Sequence, residues 1–167
     1  MLPLVRTLFD IVLLRKGPDS IPRSAVLFIL IAGFWLFSSL AALALIPGFD
    51  EQDFLVGLFA NLVGIVCYAA VVFASGHPPR VLQTVSAILG CGALISLAFV
   101  AEFVLFTPFF GQSISALVAQ LILLWSVPVE GHIIARAIDR HWYIGILIAI
   151  CVFILQFVLY NVITSSP

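Results

Sequence analysis

Apolar residues in this chain come in long runs, interrupted by short polar or turn-forming segments. A spanning helix needs roughly 20 mostly apolar residues, and five stretches, about 25–46, 54–74, 81–106, 113–135 and 142–163, reach that length. Turn chemistry separates them. Pro47-Gly48-Phe49-Asp50 follows the first, Gly76-His77-Pro78-Pro79 the second, and Thr107-Pro108 with Gly111 the third. The polar segment 136–141 divides the last two. Proline fixes φ and lacks a donor, while glycine frees φ, so both punctuate helices. Ahead of these runs, Leu4, Leu8, Ile11, Val12 and Arg15 fall near one face of a helix over residues 3–16, with Arg6 and Asp10 at i,i+4 on another. Pro3 suits the start of such a helix and Gly17-Pro18 its end. The pattern predicts an all-α membrane protein: one transmembrane domain over residues 1–167, with an interfacial segment at 1–20 before five spans.

Composition leaves little room for a water-soluble alternative. Of 167 residues, 63% are hydrophobic and 9% charged, against about 45–50% and 25% in soluble domains. A soluble fold of this size must face water with its own exterior and could not hide so much apolar surface. All seven basic residues (Arg6, Arg15, Lys16, Arg23, Arg80, Arg136, Arg140) fall on one side of a five-span layout. The other side carries Asp50, Glu51 and Asp53 and has no Lys or Arg. The positive-inside rule then predicts a cytoplasmic N-terminus and a C-terminus outside. A net charge of −1 offers no basic field for a nucleic-acid partner.

Two carboxylates fall inside spans, where a charge costs a few kcal/mol and usually faces a partner or a water-filled cavity. Glu102 lies in the third span, away from the basic side, and Glu130 in the fourth, toward it. Each stands on the order of 10 Å from the midplane, on opposite sides, so they are not a paired-carboxylate site. A proton relay between them would need groups such as Asn61, Gln83, Ser115 or Gln120. Pro128, in Trp125-Ser126-Val127-Pro128-Val129-Glu130-Gly131-His132, predicts a kink in the fourth span, because Leu124's carbonyl loses its helical donor. His132 and Arg136 share a face and, with Arg140 and His141, form a candidate contact for a lipid phosphate or an acidic partner. Arg15, Lys16 and Arg80 extend that basic face.

The remaining chemistry is mostly excluded. No HExxH, GxSxG or P-loop pattern occurs, so no catalytic residue or cofactor is expected. Cys67, Cys91 and Cys151 sit in separate apolar runs without ligand spacing, and the acidic loop 50–53 lacks the spacing of a calcium loop. No metal site is expected. Small residues at four-residue spacing, such as Ala60 and Gly64 or Gly145 and Ala149, allow close helix approach.

The layout of a basic N-terminal segment, five spans and a translocated C-terminus resembles the Yip-type (Ypt-interacting protein) family in its bacterial branch. Leu124-Trp125, Gly131 and Arg136-Ala137 carry the resemblance locally, with Leu14-Arg15-Lys16-Gly17-Pro18 before the first span. The Asp-Leu-Tyr-Gly-Pro segment of eukaryotic members is absent, which removes the ground for a trafficking role. The resemblance implies a bacterial inner-membrane protein without enzymatic activity. The expected function is binding: an accessory or scaffold subunit, or a lipid-organising factor, whose partners are membrane lipids and a membrane protein or further copies of itself. The alternative is a small transporter or proton-linked channel using Glu102, Glu130 and His132. An intramembrane enzyme ranks last.

Overall fold

The computed structural model describes residues 2–46 and 48–165; Pro47 of the first turn, and Ser166 and Pro167 at the C-terminus, lie outside them. The helices are α1 (Leu2–Val12), α2 (Ala25–Leu45), α3 (Glu51–Ala74), α4 (Val81–Phe110), α5 (Gln112–Leu124), α6 (Ser126–Ala137) and α7 (Trp142–Thr164), with 3-10 turns at Pro18–Ser20 and Pro78–Arg80. No strand occurs among the described residues. Five segments are long and apolar enough to cross a membrane: Ala25–Leu45, Glu51–Ala74, Pro78–Phe110, Ser113–Ala137 and Trp142–Thr164. This is an all-α membrane protein.

Side-chain caps start α2 and α3. Ser24 Oγ accepts the Leu27 N–H at 3.4 Å and Asp50 Oδ1 the Asp53 N–H at 2.8 Å, satisfying donors that a first turn leaves orphaned. Two predicted ends move. The third span continues through Pro108 to Phe110 and stops at Gly111, where φ is +78°. Proline in a last turn costs one hydrogen bond, whereas Gly111 reverses the chain into a region closed to most side chains. The N-terminal helix ends at Val12 instead of residue 16, and Leu14 turns the chain at φ +60°.

α4 is the hub. It packs against α1, α2, α3, α5 and α6, while α2 scarcely touches its sequence neighbour α3. Residues 83–91 of α4 are buried without interruption. The outer helices show the reverse: Val26 and Phe37 of α2 and Leu147 and Phe157 of α7 are each more than 60% exposed. Such surfaces are stable only against lipid.

α6 and α7 form a close pair joined by the turn at 138–141. A methyl group added at Gly131 would stand 2.8 Å from the Ile146 Cα, and one at Gly145 would overlap the Gly131 carbonyl oxygen. Close backbone approach replaces the hydrophobic drive that lipid removes. α7 also grips α3: Gln156 Nε2 donates to the Ala60 carbonyl at 3.2 Å, and Tyr160 donates to Asp53 at 2.6 Å. Gly145→Ala is therefore expected to lower the thermal midpoint in detergent by several degrees, in line with about 1–3 kcal/mol for overpacking. Gly33→Ala, which meets nothing within 4 Å, should leave it unchanged or raise it slightly. Scanning fluorimetry of the two variants beside the parent decides this.

Candidate functional site

The fourth span is two helices. α5 ends at Leu124, the residue whose carbonyl Pro128 cannot serve, and α6 starts at Ser126. The Trp125 indole at this break donates to the Val12 carbonyl at 3.1 Å, capping the last turn of α1. One turn along α6 and beyond, His132 Nε2 lies 3.1 Å from the Lys16 carbonyl, and Gly17 rests against the aliphatic stem of Arg136. Gln83 of α4 closes the strap: its amide donates to the Ile21 carbonyl at 2.6 Å and its oxygen accepts from Arg23 at 2.9 Å.

This strap presses α1 into the bundle. Leu8 and Ile11 are buried, and Leu8 covers Gly90 and Cys91 of α4. Residues 13–16 fold back so that Lys16 pairs with Asp10 at 2.8 Å. Asp10 thus takes Lys16, not the i,i+4 Arg6 that the helical spacing suggested. The Lys16 hydrogen bond holds the Asp10 carboxyl below its usual pKa. A lowered pKa contributes stability above the unfolded-state value and loses it as pH falls through the folded one. This tie therefore survives throughout the neutral range.

Next to α1 the α4–α5 pair opens into an apolar groove of about 370 Å³. Leu94, Ile95 and Ala98 of α4 and Val118 and Leu121 of α5 form its walls, while Phe9, Val12 and Trp125 bound one end. One helical turn past Ala98 and Val118, at the other end, Ser115 donates to Glu102 Oε1 at 2.8 Å. The volume falls inside the roughly 300–1,000 Å³ of ligand clefts.

Glu130 belongs to a separate contact. Tyr68 of α3, itself buried, donates to Glu130 Oε2 at 2.6 Å. Helical rise puts Glu130 roughly 20 Å along the span from Ser115, so the structure does not bring the two carboxylates together. Nor do the polar groups needed for a relay line up. Asn61 is exposed and bonds the Gly57 carbonyl on its own helix, Gln120 is exposed, and Gln83 is engaged by the strap.

The basic face divides as well. Arg80 bonds the Ala137 carbonyl at 3.0 Å and Asp139 at 2.7 Å, with His77 3.4 Å from the same carboxylate oxygen. Asp139, at φ +52°, closes the α6–α7 turn, so Arg80 clamps that turn while its side chain stays partly exposed. Lys16 is half exposed and paired; Arg15, Arg136 and Arg140 are exposed. His141 stacks on Tyr143 and lies away from the His132–Lys16 contact. Sequence reasoning missed Tyr68. Its signal was a hydroxyl in the middle of an apolar run, which in lipid must find an acceptor.

The fold and these contacts define a multi-pass helical membrane protein with a groove opening among its spans. Comparison with protein-family models, curated proteins and solved structures finds no match to this chain.

Because α1 shields Cys91, Leu8→Ala with Ile11→Ala should expose the thiol. In a background with Cys67 and Cys151 replaced by alanine, maleimide labelling of Cys91 is expected to quicken by about tenfold or more, as a local-opening cost of about 1.4 kcal/mol is lost. Equal labelling with and without the two substitutions would show that α1 does not cover this position.

Proposed function

We propose that this protein is a non-enzymatic membrane protein that works by binding, as a lipid-organising factor or accessory subunit, with the groove taking an acyl chain of a membrane lipid. One observation carries the proposal: an apolar groove of about 370 Å³, formed between α4 and the lipid-facing α5 and bounded by a docked N-terminal helix. Its walls offer hydrocarbon and no charge, which suits a tail and not a polar solute. The exposed Arg15, Arg136 and Arg140 give an anionic headgroup or an acidic partner a surface of opposite sign. The five-span layout resembling the Yip-type family, and the bacterial inner membrane it implies, fit the same reading. The transport alternative draws less support, since Glu102 and Glu130 sit in separate contacts with no polar chain between them.

The test is intact-complex mass spectrometry after extraction in mild detergent. The parent is expected to retain phospholipid in stoichiometric amount, and Ala98→Trp, which fills the groove, to lose most of it. Equal retention by both would remove the groove as the binding site. A protein partner that co-purifies with the parent and is released by the Arg136→Glu, Arg140→Glu pair would instead favour the accessory-subunit form of the proposal.

A further inference from the structure

The face opposite the basic one holds a polar cluster that neither the groove nor the strap uses. Glu102 of α4 is 5% exposed and Ser115 of α5 is 1% exposed. Ser115 donates to Glu102 Oε1 at 2.8 Å, and Thr107 Oγ1 lies 2.7 Å from Ser115 Oγ. Thr107 can therefore donate to Ser115, and Ser115 to the carboxylate. The chain of donors ends there. Glu102 Oε2 is inaccessible to solvent and accepts no hydrogen bond.

An orphan carboxylate oxygen in an apolar span is expensive, because burial removes water and nothing replaces it. Ionisable groups within membranes pair with one another or with backbone carbonyls, or mark the path of an ion or substrate. No side chain supplies a cation here: all seven Lys and Arg residues and all three His fall in or next to the segments at the other face. Among the described residues the polar groups joined here are oxygens, a hard ligand set that includes one carboxylate. Divalent ions recruit more carboxylate than a single Glu provides, and soft metals want nitrogen or sulfur. No grouping of three His, Cys, Asp or Glu occurs among the described residues.

We propose that Glu102, Ser115 and Thr107 form a binding site for a sodium ion, with the unpartnered Glu102 Oε2 as its anionic ligand and the Ser115 and Thr107 hydroxyls, which lie on the Oε1 side of the same carboxylate, as its neutral oxygens. The bound ion joins α4 to α5 just beyond the groove's far end. The site stands independently of the lipid-binding proposal, since it uses no groove-lining residue.

The test is thermal unfolding of the purified full chain at constant ionic strength, with NaCl exchanged for choline chloride. Sodium is expected to raise the unfolding midpoint by about 5 °C at roughly a hundredfold above its dissociation constant, and to go on raising it with the logarithm of concentration. Glu102→Gln should abolish the response. Ser115→Ala should need roughly tenfold higher sodium for the same rise, equivalent to the loss of one ligand worth about 1.4 kcal/mol. Should Glu102→Gln fail to fold, Ser115→Ala and Thr107→Val carry the test, and an unchanged sodium dependence in both would overturn the site. Superimposable curves in sodium and choline would overturn it too, as would a sodium response that persists in Glu102→Gln. Stabilisation by acid alone, with no sodium response and lost in Glu102→Gln, would give the orphan oxygen to a proton and reject the ion.

Discussion

The arrangement depends on the break at Trp125. A spanning helix has no water at its flanks, so every backbone carbonyl it frees must be served from within the protein. Pro128 has no N–H for the Leu124 carbonyl, and the span divides there into α5 and α6. Each half then follows a different neighbour. α5 runs mainly along α4, while α6 packs chiefly on α7 and also on α4. The groove lies along the α5 half of that divergence, with the indole at the junction.

The N-terminal helix completes this junction from outside the spans. A helix of 11 residues is marginal in isolation, so its stability here comes from contacts. The Val12 and Lys16 carbonyls, which helix termination leaves without partners, meet Trp125 and His132. Gly17 and Gly90 permit the approach by leaving room for Arg136 and Leu8. The amphipathic segment packs one face among α4 and α6, with Leu8 and Ile11 in the core, and leaves Val5 and Phe9 exposed on the other.

Several polar side chains of the spans tie helices together, while others, such as Ser38, Asn61 and Ser86, bond carbonyls of their own helix. Tyr68–Glu130 joins α3 to α6, Gln156–Ala60 and Tyr160–Asp53 join α7 to α3, and Ser115–Glu102 joins α5 to α4. In hydrocarbon such bonds average about 0.6 kcal/mol and reach about 1–2. Specificity of register is the larger consequence, because each bond holds one position on a helix against one position on its neighbour. Glu102 differs from the others in keeping an oxygen for which the protein has no donor.

The sequence alone determined the helical class, five spans and their separation, since run length and Pro/Gly punctuation are local properties that lipid enforces directly. It also located the defect in the fourth span, because a missing N–H is fixed by residue type. It did not determine which helices touch. The placement of α2 on α4 and not on α3, the burial of α1, and the pairing of Glu130 with Tyr68 join residues far apart in the chain, 62 positions for Tyr68 and Glu130 and 113 for Val12 and Trp125. Nor did it separate Arg80, held by Asp139, from the exposed Arg136 and Arg140. Within lipid all apolar faces look alike, so hydrophobicity places a helix in the membrane without choosing its neighbour. That choice rests on close backbone approach at glycine and on pairwise satisfaction of polar groups, which exist only once the helices have met.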